Sequence, residues 1–219
     1  MLIALNKPAG LLSVPLPRKS AEPSVYDQLE AYLRPRKRRP FVVHRIDRDT
    51  SGVVLFAKDP RTQQALKRQF IRREPERVYL AVVYGHPDPP RGEWRDSLVW
   101  DPKALIQKRT HPRDPRGAEA VSAYRIVESF RDASLIEVRL ETGKRNQIRI
   151  QARLRGHTLV GEKRYVFGPE VLRPIECPRQ ALHAQRLAFR HPIEDREIRI
   201  EAPMPADMRE LLSRLRAAS

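Results

Sequence analysis

The chain has 219 residues, 43 Lys+Arg against 27 Asp+Glu, and a formal net charge of +16. That length suits one large domain with a substantial core, and 40% apolar residues exclude wholesale disorder. No run approaches the roughly 18 apolar residues of a membrane span, and the single cysteine, Cys177, excludes an internal disulfide and a multi-cysteine zinc site. The apolar part of Met1–Pro8 is too short for a signal peptide, so a reducing cytoplasm is the expected compartment. None of the 9 glycines sits in a GxGxxG or GxxxxGK[ST] pattern, so a Rossmann dinucleotide site and a P-loop lack support. The surplus of positive charge points to a polyanionic partner, most often nucleic acid.

In chain order, Leu2–Leu5 reads as a short strand stopped by Asn6-Lys7-Pro8-Ala9-Gly10. Residues 24–33 read as a helix capped by Ser24 with Asp27 three residues on. Arg34-Pro35-Arg36-Lys37-Arg38-Arg39-Pro40 places five basic residues among two prolines, an exposed loop that either touches phosphates or sits idle in solvent. Val53–Ala57 is an apolar strand. Asp59-Pro60 then supplies an N-cap and a proline at the first position of a helix that runs to about Ile71. Val78–Tyr84 is a buried strand, and residues 87–119, rich in Pro, Asp and Arg, read mainly as loops with short strands. Ser134–Glu141 alternates apolar and polar residues as a half-buried strand does. A helix over Asn146–Arg155 ends at Gly156, Leu187–Phe189 and Ile198–Ile200 are further strands, and Pro205–Ala217 is a terminal helix. The irregular alternation favours an α+β fold, a mixed and mostly antiparallel central sheet flanked by helices. The charge is uneven along the chain. Residues 143–165 hold seven basic groups and one acid, whereas residues 194–219 hold five basic groups and six acids.

Three polar constellations can carry chemistry. The first is His44-Arg45-Ile46-Asp47-Arg48-Asp49-Thr50-Ser51-Gly52, directly before a strand. Asp47 stands between Arg45 and Arg48, and nearby cations favour an ionised carboxylate able to act as nucleophile or base. The plainer reading is a turn in which Asp and Ser cap backbone amides. A metal site built from His44, Asp47 and Asp49 is a third reading, opposed by the two arginines. The second constellation, Thr142-Gly143-Lys144-Arg145-Asn146-Gln147-Ile148-Arg149, joins a strand to a basic helix. It is either a phosphate-binding helix start or an ordinary turn with solvated charges. The third is Arg77–Gly85, where Tyr79 alternates with core residues and can face a base or pack in the core. His183 and His191 are expected to pack or cap near the strand at 187–189.

Taken together these segments resemble the RluA-type family of RNA pseudouridine synthases. Asn6–Pro15 is similar to the family's opening motif, and His44–Gly52 matches its HR-[LI]-D-x-x-TSG signature. Arg77–Gly85 resembles its tyrosine strand. Thr142–Arg149 with Gly156–Gly161 matches its TGR-x-HQIR and G-x-P-[IL]-x-G region, and Ala181–Ala184 through His191-Pro192 matches its LHA and HP segment. The resemblance runs in order from residue 3 to about 205.

It implies a single catalytic domain over residues 1–219, without the separate N-terminal RNA-binding domain of some relatives, and uridine isomerisation with neither cofactor nor metal. It implies Asp47 as the essential aspartate, Tyr79 stacking on the target base and Arg149 pairing with the aspartate. Arg45 would enter the RNA where the uridine leaves. His44, Thr50, Lys144, Asn146 and Gln147 complete the implied substrate-binding set. The partner is ribosomal or transfer RNA, with a monomer as the default state. Asn146 replaces the family's usual histidine, Lys144 its arginine, Thr158 its proline and Glu162 its aspartate. These departures are expected to bear on substrate contacts and not to touch Asp47, Tyr79 or Arg149. A catalytically silent RNA chaperone of the same fold is the alternative, and the intact Asp47, Tyr79 and Arg149 argue against it.

Overall fold

Capping chemistry starts two of the four α-helices among the described residues of the computed structural model, which are 2–16, 22–166 and 173–218. In α1 (Val25–Leu33) the Ser24 hydroxyl accepts the Asp27 N–H at 3.2 Å, and the Asp27 carboxylate accepts the Ser24 N–H at 3.1 Å. This reciprocal pair satisfies two donors that no helical carbonyl reaches. In α2 (Pro60–Ile71) the Asp59 carboxylate accepts the Thr62 N–H at 2.8 Å, with Pro60 inside the first turn. The chain divides into two compact units, residues 1–77 with 184–204 and residues 78–183 with 205–219.

The first unit is built on β3 (Ser51–Ala57), whose seven residues are all buried. A near-continuous apolar run is what a strand covered on both faces requires. β1 (Leu2–Lys7) pairs with it antiparallel, Leu2 opposite Ala57 and Lys7 opposite Gly52, and the short β2 (Phe41–Val42) pairs with its end. β10 (Glu197–Glu201) pairs antiparallel with the later part of β9 (Leu182–Arg190). Leu66 of α2 is fully buried in a cluster with Val53, Leu55, Leu187 and Phe189. Gly52 has φ +116°, and a Cβ there would lie 2.1 Å from the Ala184 carbonyl oxygen, so only glycine lets β9 approach.

The second unit is an antiparallel run in the order β4, β8, β7, β5, β6, formed by Glu76–Tyr84 (β4), Ala133–Leu140 (β8), Ala118–Ser129 (β7), Arg91–Asp101 (β5) and Ile106–Arg109 (β6). α3 (Gln147–Leu154) buries Ile148 and Ala152 against Val138, Leu140 and a stacked Trp94–Tyr124 pair, ring centroids 4.7 Å apart. α4 (Ala206–Ala217) buries Met208, Leu211 and Leu212. Arg179 ties its first turn down through a bidentate pair with Asp207, at 2.7 and 3.0 Å.

The α+β expectation holds, and one stretch corrects the sequence reading. Residues 87–119 are not mainly loops: they carry the 11-residue β5, and the 12-residue β7 begins at Ala118. Charged residues on the outer face of β5 hide the pattern, because only Trp94, Asp96 and Leu98 are buried there. Those exterior charges pair across strands, as Arg95 does with Glu119 at 2.5 Å. β9 is likewise longer than the expected 187–189, since Leu182, His183 and Ala184 are already inside it and buried.

Candidate active site

The loop carrying Asp47 is held by the opening motif. Lys7, at the end of β1, is 1% exposed. Its ammonium donates to the carbonyls of Pro8 at 2.8 Å, Leu11 at 2.7 Å and Arg48 at 2.7 Å. A buried cation is tolerable only when its donors are so engaged. The Ser13 hydroxyl donates to the Ile46 carbonyl at 2.8 Å and accepts the Ile46 N–H at 3.2 Å. The Gly10 N–H donates to the Arg48 carbonyl at 3.1 Å, and the Thr50 N–H closes the turn onto the Asp47 carbonyl at 3.2 Å. The backbone on either side of Asp47 is therefore fixed from a segment some forty residues away. The sequence alone shows Lys7 and Ser13 as part of a motif and assigns them no role. The one signal it offers is a lysine at a strand end, in an apolar context, followed by Pro-Ala-Gly.

His44 is placed for structure. Its Nε2 accepts the Leu55 N–H of β3 at 3.2 Å, and its ring stacks on Phe70 with centroids 5.1 Å apart. Burial, with the nearby Arg77 charge adding to it, lowers its pKa to about 3. With the Nε2 lone pair spent on the backbone, the metal reading of His44, Asp47 and Asp49 loses its imidazole donor. Among the described residues no three of His, Cys, Asp and Glu cluster as a metal site. Thr50 is 2% exposed, and its Oγ1 has no hydrogen-bond partner among the described residues. Arg45 is exposed on the same loop.

In the second unit Tyr79 lies on β4 opposite Val138 of β8, partly buried against the cluster containing Trp94 and Ile148. Arg149 on α3 forms a buried bidentate pair: its Nε donates to Glu162 Oε2 at 2.7 Å and its Nη2 to Oε1 at 2.6 Å. The side chains are 10% and 0% exposed. Burial by itself would raise the Glu162 carboxyl. The Arg149 hydrogen bonds and charge, with backbone N–H groups of Arg164 and Tyr165, outweigh burial and hold it below the usual carboxylate range. The expectation that the Glu162 departure does not touch Arg149 is corrected here. Glu162 grips the guanidinium along one edge and fixes where the rest of it points.

Gln147, expected at the substrate, has its amide consumed inside the fold. The Thr142 hydroxyl and the Lys144 N–H donate to its Oε1 at 2.8 and 2.9 Å, while its Nε2 donates to the Val121 carbonyl and Ser122 Oγ at 3.0 and 2.9 Å. One turn on, Gln151 accepts from Ser122 Oγ at 2.7 Å and donates to Asp96 Oδ2 at 3.0 Å. These two glutamines face the sheet at helical spacing and pin α3 to β5 and β7. Asn146 is buried, takes the left-handed conformation at φ +53°, and accepts from the Tyr165 hydroxyl at 3.3 Å. Lys144 remains partly exposed. Asp47, His44, Arg45 and Thr50 thus share the first unit, and Tyr79, Lys144, Asn146, Gln147 and Arg149 the second. As expected, His183 is packed, fully buried within β9, and His191 caps a turn by accepting the Glu194 N–H at 3.1 Å.

A family model described as RNA pseudouridylate synthase matches residues 1–154. Ribosomal large subunit pseudouridine synthase D of Zymomonas mobilis subsp. mobilis is 38% identical over 187 residues, 81% of this chain and 56% of that protein. The dual-specificity RNA pseudouridine synthase RluA of Pasteurella multocida is 33% identical over 206 residues, 92% of this chain and 88% of its own length. A solved human structure, RNA Pseudouridylate Synthase Domain Containing 4, shares the fold with a TM-score of 0.80 at 20% identity, over 98% of this chain and 90% of that one. The chain belongs to the RNA pseudouridylate synthase family. It spans a little over half the length of the Zymomonas relative.

Proposed function

We propose that the protein is an RNA pseudouridine synthase that isomerises uridine in ribosomal or transfer RNA in the cytoplasm, with Asp47 as its catalytic carboxylate. The observation that carries this reading is the His44–Gly52 loop, a full match to the family signature whose backbone is clamped by Lys7 and Ser13. Preorganisation of this kind is what a reacting carboxylate needs. The names of the Zymomonas and Pasteurella relatives support RNA as substrate and ribosomal RNA as one target class.

In the isomerisation the C1′–N1 bond breaks, the base turns, a C1′–C5 bond forms, N1 gains a proton and C5 loses one. The uridine must leave its stack first, which costs a few kcal/mol. Tyr79 offsets that cost as the aromatic face for the extruded base, and Arg45 by occupying the space it vacates. Arg149 supplies the permanent positive charge on which the anionic aspartate depends, and Glu162 holds it in position. Lys144, partly exposed where Thr50 and Asn146 are buried, contacts the RNA around the target.

The test is release of tritium from RNA labelled at uridine C5, using RNA from cells lacking this protein. Wild type releases tritium and Asp47→Ala does not, while both bind RNA equally. Absence of release by wild type on RNA that it binds would overturn the reading.

A further inference from the structure

The end of α1 hands the chain to its run of cations through a strained residue. Arg34–Arg36 form one 3-10 turn, and Lys37 follows with φ +51° and ψ +36°. The Lys37 N–H donates to the Arg34 carbonyl at 2.9 Å and the Arg38 N–H to the Leu33 carbonyl at 3.2 Å. Those two bonds make a Schellman closure, whose left-handed position is ordinarily glycine because a Cβ is strained there. This chain keeps a lysine at that position, on a surface where glycine would fit without strain. The Lys37 side chain is exposed on a turn whose backbone is fixed by two hydrogen bonds.

The side chains around that turn form a groove of about 580 Å³, lined by Arg34, Lys37, Arg38, Arg39, Lys58 and Phe41 among others. The residues from Arg34 to Arg39 are all exposed, yet they are not loose. Leu33 before them and Pro40 after them are buried. The Arg39 guanidinium lies 4.9 Å from the Phe41 ring centroid, and that of Arg36 lies 4.6 Å from the Tyr32 centroid. Two carboxylates, Glu30 and Asp59, share the groove, and Asp59 is committed to Thr62 at the start of α2. Five cations outnumber them.

We propose that this groove docks the phosphodiester backbone of the RNA substrate, as a contact surface additional to the Asp47 loop. The proposal deepens the reading of the protein as an RNA-modifying enzyme and rests on it. Several cations fixed on one rigid turn neutralise successive phosphates and release their condensed counterions. A guanidinium backed by an aromatic ring also presents a flat face on which an unpaired base stacks. A nucleic-acid strand alternates those two features, whereas an acidic peptide offers only the charge.

The test measures binding of a 5′-labelled, uridine-containing 24-nucleotide single-stranded RNA across a salt series, with tritium release from unmodified transcribed ribosomal RNA run alongside. Replacing Arg34, Lys37, Arg39 and Lys58 with Gln should reduce the log–log salt slope by about 0.7 for each phosphate no longer neutralised. The charge change Lys67→Gln with Arg68→Gln, on α2, should leave the slope within about half of one such step. Lys37→Gly alone should raise the Tm by roughly 2–4 °C and still weaken RNA binding, a combination that a purely structural lysine cannot give. An unchanged slope in the fourfold variant, or an equal drop in the α2 control, overturns the groove. If wild type releases tritium while the slope is unchanged, the groove fails and the enzyme stands. If the slope falls and wild type releases none, the groove stands and the enzyme reading fails.

Discussion

Glu162→Gln tests the placement of Arg149 most sharply. The change is nearly isosteric, and it removes the charge that a guanidinium only 10% exposed is paired with. Breaking a buried pair by neutralising one partner costs about 3–5 kcal/mol, because the guanidinium loses the carboxylate that compensates its burial. At roughly 2–4 °C per kcal/mol for a chain of this size, the Tm should fall by about 6–20 °C at pH 7. The pH dependence has a definite sign. Glu162 has its folded pKa below the ordinary value of 4.5. Its contribution is therefore complete above about pH 4.5 and disappears as pH falls through the lower folded value. The stability gap between wild type and Glu162→Gln should thus be full at pH 7 and narrow steadily below pH 4.5. Thermal denaturation from pH 7 to pH 3 measures it, and single-turnover tritium release measures the activity, which should fall with RNA affinity largely kept. Glu162→Asp retains the charge and should recover much of both. A Glu162→Gln protein as stable and as active as wild type, with an unchanged acid profile, would refute this role for Glu162.

Further consequences can be checked on the first unit. Lys7→Met removes the ammonium donor from the carbonyls of Pro8, Leu11 and Arg48, of which the last keeps the Gly10 N–H, at about 1–3 kcal/mol for each group left buried and unsatisfied. Its effect should appear in urea denaturation and as a lower kcat with RNA affinity retained; unchanged turnover would show that the clamp does not govern the Asp47 loop. Gly52→Ala puts a Cβ 2.1 Å from the Ala184 carbonyl oxygen at φ +116° and should abolish soluble folded protein, whereas a Tm within a few degrees of wild type would contradict the close approach. His44, with its pKa lowered to about 3, should show no imidazole titration by NMR between pH 8 and pH 5. The unfolded chain binds that proton near pH 6.5, so the His44 term should reduce stability as pH falls below that value. A midpoint near 6.5 in the folded protein would refute its burial.

The parts of the molecule legible in the sequence are those determined within a few residues. The capping pairs of Ser24 with Asp27 and of Asp59 with Thr62 lie three residues apart, so both helix starts are readable. β3 announces itself by an unbroken apolar run. β5 does not, because Arg91, Glu93 and Arg95 face solvent and the strand that pairs with theirs, β7, lies further along the chain. The same division applies to the site. The Asp47 motif is contiguous, and the family resemblance reaches it directly. The partners that hold the site arrive from far along the chain: Lys7 is 41 residues from Arg48, Ser13 is 33 from Ile46, and Gln147 is 26 from Val121. The family resemblance places Gln147 at the substrate, and nothing within a few residues of it marks it as buried. Only the fold shows Val121 and Ser122 closing over it. Glu162 looks like a peripheral departure for the same reason, since its distance from Arg149 is a property of α3 and the turn after it.

Whether Asp47 on its clamped loop carries out uridine isomerisation is decided by incubating unmodified transcribed ribosomal and transfer RNA with wild type or Asp47→Asn, digesting to nucleosides, and separating uridine from its C-glycoside isomer by chromatography. Pseudouridine should form with wild type and not with Asp47→Asn, at equal RNA binding and equal Tm. Pseudouridine formed by Asp47→Asn at the wild-type rate would contradict the assignment of Asp47 as the catalytic carboxylate.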